Sequence, residues 1–268
     1  MASTYLTRTS SSAGTNTKGT FSAWVKRSSI SNVYPRIIQI RPSSGNGLDM
    51  YFRNTDILEI KLSSGGSVLA QLSTNRLFRD VNAWYHILLS IDTTSGTADD
   101  RVRLYVNGVK ETSFSTRTNP SQNADVKING SSDTIQIGLE VGGSSNIFSG
   151  SMSHIHWLDG TAHDASYFGS TDSTTGEWKI NTSPSVTYGT NGFFILKDGN
   201  SVTDQSGRGN NFTVGGGTLT KTEDCPSNVF ATLNPLSFNT GFSLSNGNNY
   251  FNGGSVTSWN QGCAATMG

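Results

Sequence analysis

From Gly19 onward the chain alternates apolar and polar residues with a period of two, and each run is closed by Gly, Ser, Asn or Pro. Side chains spaced in this way fall on opposite faces of an extended strand, so each run can bury one face and keep the other polar. In TFSAWVKRS, Phe21, Ala23 and Val25 share one face, with Ser22, Trp24 and Lys26 on the other. In NAWYHILLSID, Tyr85, Ile87, Leu89 and Ile91 oppose Trp84, His86, Leu88 and Ser90. RVRLYVNGVKE sends Val102, Leu104 and Val106 one way and Arg103 and Tyr105 the other, then reaches Asn107-Gly108. Both residues accept positive φ, which favours a two-residue type I′ turn and fixes the hairpin register. PRIIQIRP, GLDMYFRN and ILEIKLSSGG read as a meander. DTIQIG, GSMSHIHWLDG, GFFILKDG and GNNFTVGG read as later strands, and HDASYFG, capped by Asp164, predicts a single helical turn. The fold class that follows is all-β, a two-sheet antiparallel β-sandwich of the jelly-roll kind.

The chain has 268 residues, enough to enclose a core, and its 34% hydrophobic and 14% charged content suits short strands joined by many turns. Lys plus Arg equals Asp plus Glu at 19 each with no run of like charge, which predicts neither nucleic acid nor membrane as partner. No apolar stretch is long enough to span a bilayer. The opening MASTYLTRTSSSAGTNTKGT lacks the apolar segment of a secretory signal, which predicts a protein made in a cytoplasm that leaves, if at all, by another route. Cys225 and Cys263 are too few for a disulfide framework and lack metal-ligand spacing, so free thiols are expected. In DQSGRGNN, Asp204, Ser206 and Gly207 suit a bend bonded by its own side chains. Residues 1–222 are read as one sandwich including returning edge strands. Residues 223–268 are read as a linker, EDCPSNVFATLNPLSF, followed by the start of a β-rich segment, FSLSNGNNYFNGGSVTSW.

Four groups of side chains carry possible chemistry. His154 and His156, two apart on a strand, share a face with the spacing that zinc sites use, but a third ligand would have to come from His86 or His163. The expectation is a half-exposed pair beside buried Ile155 and Trp157, with no metal. Asp92, Asp99 and Asp100 flank one loop and could offer oxygen ligands to Ca²⁺, yet their spacing fits no EF-hand loop and they are expected to be solvated turn residues. Glycan hydrolysis needs paired carboxylates, and the strand ILEIKL offers Glu59 alone, so no catalytic residues, cofactor or metal are expected. Trp24, Tyr34, Tyr105 and Tyr188, on predicted outer faces or loops, could stack on sugars but are expected to pack, leaving the ligand-binding residues unassigned. The sequons at Asn129, Asn181 and Asn211 carry no weight outside a eukaryotic secretory pathway.

AWYHILLSID, then RLYVNG, then GSMSHIHWLDGTAHDASYFG resemble, in order, the markers of laminin-G-like, concanavalin A-like domains, over about Gly19 to Gly169. YLTRTSSSAG, FSAWVKRS, FGSTDSTTGEWKI, YGTNGFFILK, DQSGRGNNFTV and CPSNVFATLNPLSF further resemble virion proteins of tailed phages, particularly those of cyanobacteria and other marine bacteria. Ser227-Asn228-Val229 departs from the Thr-Asn-Asn usual there. That resemblance implies a non-enzymatic virion component, a tail- or head-fibre subunit synthesised in the host cytoplasm. Its implied partners are other virion proteins and host surface polysaccharide. It also implies a homo-oligomer, a trimer by analogy with fibres. A decoration protein without glycan affinity, or a secreted carbohydrate-active enzyme or lectin module, is the alternative.

Overall fold

The computed structural model describes residues 4–30, 33–42, 45, 47–197, 199–229, 231–238, 243–245, 248–252 and 263–265. Its strands are β1 (Tyr5–Thr9), β2 (Lys18–Arg27), β3 (Arg36–Arg41), β4 (Leu48–Phe52), β5 (Ile57–Ser64), β6 (Ser67–Leu77), β7 (Tyr85–Asp92), β8 (Val102–Val106), β9 (Val109–Lys110) and β10 (Phe114–Thr118). There follow β11 (Thr134–Ile137), β12 (Gly150–Asp159), β13 (Gly169–Thr171), β14 (Trp178–Ile180), β15 (Phe193–Ile195) and β16 (Thr213–Gly216). The C-terminal segment adds β17 (Leu233–Phe238), β18 (Ser243–Ser245), β19 (Tyr250–Asn252) and β20 (Cys263–Ala265). Two antiparallel sheets face each other: an eight-stranded one in the order β10-β6-β5-β4-β3-β11-β1-β16, and a six-stranded one in the order β15-β12-β2-β7-β8-β9. The protein is thus the all-β sandwich that the alternation requires.

The inward stripes meet as predicted. Phe21, Ala23 and Val25 of β2, Ile87, Leu89 and Ile91 of β7 and Val102, Leu104 and Val106 of β8 pack against Leu48, Met50 and Phe52 of β4 and Leu58, Ile60 and Leu62 of β5. Trp157 of β12 is fully buried among them, and its indole N–H donates to Asn129 Oδ1 at 2.7 Å. Asn129 is itself buried, so this sequon sits inside the fold. The Asn107-Gly108 turn has φ of +48° and +79° and joins Val106 to Val109 as a paired hairpin. A Cβ at Gly108 would lie 2.3 Å from the Trp178 ring. Gly108→Ala is therefore expected to lower unfolding free energy by about 2 kcal/mol in urea titrations, from left-handed backbone strain plus overpacking.

Strand β1, which carries no long apolar run, sits between β11 and β16. Tyr5 lies opposite Gly216 and Thr7 opposite Thr213, so residues 4 and 217 leave the sheet at the same end. There the Thr4 hydroxyl donates to the Thr218 carbonyl (3.2 Å).

One expectation needs correction. The six-stranded sheet was predicted to keep a polar outer face, but β2 is buried from Gly19 to Arg27 on both sides. The β13–β14 hairpin and a 3-10 turn at Ala165–Tyr167, capped by Asp164 accepting from the Ser166 N–H (2.9 Å), belong to the segment that covers it. The linker predicted from residue 223 contains β17, which pairs with β20 despite Pro235; a two-stranded ribbon tolerates proline because one edge needs no donor. Of the strand-like text beyond it, Ser243–Ser245 and Tyr250–Asn252 pair as a hairpin, and residues 253–259 lie outside the described residues.

Candidate functional site

The histidines predicted to be half-exposed are buried. Along β12 the register against β2 shifts between Ser153 and His156, one extra residue that makes a β-bulge, and His154 adopts φ +48°. Behind the bulge, His156 stacks on Phe194 (3.9 Å between centroids), contacts Phe168 and Tyr188, and shares a 2.9 Å hydrogen bond from Nδ1 with the Tyr188 hydroxyl. His86 lies between Trp24 and Trp178. The Trp178 indole can only donate, and it donates to His86 Nδ1 (3.1 Å), which places the imidazole proton on Nε2, facing the Ser22 hydroxyl at 2.9 Å. Burial lowers the His86 pKa to about 3 and that of His156 well below the ordinary value. His163 sits apart against Tyr167. Among the described residues no three His, Cys, Asp or Glu side chains converge as a metal site.

The same covering layer buries two of the four candidate stacking aromatics and itself carries a third, Tyr188. Trp24 and Tyr105 are almost inaccessible, Tyr188 is partly buried on His156, and Tyr34 alone is exposed, edge-on to Tyr51. They do not form a sugar platform, because the 161–191 segment covers Tyr105 and Tyr34 lies apart from the others against Tyr51. The loop carboxylates are not gathered either. Asp92 pairs with Lys18 (3.2 Å), Asp99 with Arg117 (3.1 Å) and Asp100 with Lys110 (3.0 Å).

Glu59 lies on the outer face of the larger sheet, yet it is 1% exposed. It accepts from the Tyr51 and Ser73 hydroxyls, from Arg53 (3.1 Å) and from Gln71 (3.3 Å), and it pairs with Lys61 (2.9 Å). Those donors outweigh its desolvation and bring its pKa down to about 2. Asp49, on the adjacent strand and ion-paired with Arg36 (2.9 Å), is pushed up to about 6 by burial. Carboxylates pushed apart in this way can serve as acid and nucleophile. Here, however, each is held by its neighbours, and Glu59 has no proton to give at neutral pH.

The structure instead assembles a cleft of about 1000 Å³ at one end of the sandwich, from segments the sequence does not link. Trp84, Phe148, Met152 and Leu196 supply apolar surface; Ser149, Ser151, Thr218 and Thr220 supply hydroxyls; Asn200, Asn228 and Asn248 supply amides. Lys197, Lys221 and Glu223 add charge. The wall at residues 222–228 is pinned by buried Asp224, which receives Lys26 Nζ (2.9 Å) and the Trp84 indole N–H (3.1 Å). Asn248 Nδ2 donates to the Ser28 carbonyl (3.3 Å) and holds the C-terminal wall. Three non-glycine residues with positive φ line the cleft, His154 (+48°), Leu196 (+55°) and Asn248 (+68°), and the His154 N–H donates to the Leu196 carbonyl (3.0 Å). Such backbone strain in a bulky residue persists only where surroundings enforce it, and it gathers at ligand sites. Polar loop text such as GGSSNIFSGS and TLTKTED was the only signal for these walls, and ordinary turns look the same.

Residues 1–166 match the family described as the concanavalin A-like lectin/glucanases superfamily. Among curated proteins no sequence matches significantly. Among solved structures, the chain is similar to a protein of Bacteroides ovatus ATCC 8483 named for a suspected carbohydrate-binding role, at 16% identity and a TM-score of 0.52, over 85% of this chain and 61% of that one. It is also similar to a heptameric SAP-like pentraxin of Limulus polyphemus (17% identity, TM-score 0.43, 58% of this chain and 69% of that one). A third is domain 4 of the extracellular arabinanase AbnA of Geobacillus stearothermophilus, solved with arabinotriose (15%, 0.38, 57% and 64%). At such identities the first likeness speaks to the fold.

Proposed function

Because the chain belongs to the concanavalin A-like lectin/glucanases superfamily, we propose that it is a non-catalytic glycan-binding module whose ligand lies in the cleft beside His154 and Leu196. The single observation that carries this reading is the lining. Hydroxyls and amides that can bond sugar hydroxyls alternate with apolar faces that can cover the ring, in a preformed concavity of ligand size. Glu59, bonded on all sides, supports a binding role over hydrolysis. The ordered phage-like motifs support placing the protein on a tailed-phage virion, as an appendage or fibre subunit contacting neighbouring virion proteins and host surface polysaccharide. Repeated copies would turn weak single sites into firm attachment through effective concentration.

Thr220 is exposed and lines the cleft, so Thr220→Trp fills it without touching the core. Polysaccharide prepared from the host envelope is expected to bind the parent and to bind Thr220→Trp at least about tenfold more weakly, a loss of about 1.4 kcal/mol, at unchanged melting temperature. Equal binding by both proteins would move the site elsewhere. No binding by the parent would favour a decoration protein, and release of reducing ends from the polysaccharide would reject the non-catalytic reading.

A further inference from the structure

The motif DQSGRGNN is not used by the cleft, and it builds a second cavity. A pocket of about 380 Å³ lies between β1 and the 204–213 loop, and its lining includes Thr7, Arg8, Thr9, Asn210, Asn211 and Thr213. Asp204 folds the loop by accepting the N–H groups of Phe194, Ser206 and Asn210 and the Ser206 hydroxyl, at 2.8–2.9 Å. Its oxygens are therefore taken, and it meets Arg8 only through longer-range attraction. Arg8 is 9% exposed; its Nη2 donates to Asn210 Oδ1, while its buried Nη1 has no hydrogen-bond partner among the described residues. A guanidinium is a planar fork of donors that cannot shed its charge, so one arm left unmatched is a costly feature in a folded chain. The fork suits a carboxylate in particular, which can take two parallel N–H bonds. Beside the pocket, Gly207 (φ +79°) and Gly209 (φ +74°) shape a turn that carries exposed Arg208.

We propose that this pocket binds the carboxylate of an acidic sugar, a hexuronate unit of a polysaccharide, with Arg8 as the anion-binding residue. The site is separate from the cleft and needs no occupant there, so Thr220→Trp leaves it intact and the two readings fail independently.

Calorimetric titration of the full chain with D-glucuronate tests the proposal, with D-glucose and acetate as comparison ligands. Glucuronate is expected to give a saturable isotherm, while glucose and acetate bind at least tenfold more weakly. Arg8→Gln, which retains a donor towards Asn210, is expected to abolish the isotherm. Because a change at Arg8 can disturb folding, Asn211→Asp is the second variant. Asn211 Oδ1 accepts the Asp204 N–H (2.8 Å), an aspartate keeps that bond, and the added charge on the pocket wall is expected to weaken glucuronate at least tenfold with the melting temperature unchanged. Absence of binding by the parent, equal binding of glucose, equal binding of acetate, or indifference to Asn211→Asp would each overturn the assignment.

Discussion

Trp157→Ala is expected to lower the unfolding free energy by about 4 kcal/mol, the range for emptying a large aromatic from a packed core. Trp157 is wholly buried, pairs in register with Phe21 on one side and Phe193 on the other, and lies directly beneath Gly19. A Cβ at Gly19 would stand 3.0 Å from its ring, so the backbone there is fitted to the indole and cannot easily fill the gap it leaves. The loss has a polar part as well. Asn129 Oδ1 accepts the indole N–H at 2.7 Å, while Asn129 Nδ2 donates to the Thr15 carbonyl, so the acceptor cannot turn away to find another donor. Trp157→Phe separates the two parts: it keeps most apolar contact, strands the acceptor, and is expected to cost about 2 kcal/mol. Urea unfolding of the three proteins measures both, and an alanine variant within 1 kcal/mol of the parent would show that the sheets do not close on this residue.

Acidification from pH 7 to 4.5 is expected to lower stability, with His86 alone contributing a loss of about 3 kcal/mol. His86 and His156 stay neutral in the folded state, with pKa values of about 3 and well below 6.5, whereas the unfolded chain protonates both near 6.5. The unfolded state therefore binds more protons below pH 6.5, and stability present above that pH is lost as pH falls. Over two pH units this amounts to about 3 kcal/mol for His86, and His156 acts in the same direction. Asp49 works in the opposite direction. Its folded pKa of about 6 means that the folded state takes up a proton before the unfolded state does, returning about 2 kcal/mol by pH 4.5. Glu59, held near 2, begins to add its own loss only below its unfolded value of about 4.5. Replacing His86 by glutamine is expected to lower stability at pH 7 and to shrink the pH 7 to 4.5 difference by about 3 kcal/mol. A difference unchanged by that variant would sink the account.

The alternation in NAWYHILLSID and RVRLYVNGVKE gave the inner stripes and the hairpin register directly, since a period of two has a single geometric meaning. Other strands were silent for physical reasons. YLTRT offers only Leu6 to the core, and SVLAQLSTNRL buries Ala70 and Leu72 but ends in exposed Asn75, Arg76 and Leu77, so neither announces itself. The outer face of β2 and β7 misled most. Ser22, Trp24 and His86 look like a wet surface, and what dries it is a segment about 75 or more residues later, which local pattern cannot reveal. The His154-X-His156 spacing likewise assumed regular pleating, and a one-residue bulge removed that premise. The cleft draws on residues from Thr4 to Asn248, so no window of sequence contains it.

The pairing of β1 with β16 has a mechanical consequence. Because Thr4 and Gly217 emerge from the same end of that ladder, a force drawing the two chain exits apart loads its hydrogen bonds one after another, as a zipper opens, rather than all together in shear. Pulling handles attached at Thr4 and Gly217 would open this seam at low force, whereas tension applied beyond Gly217 is first borne by the contacts of Asp224 with Lys26 and Trp84.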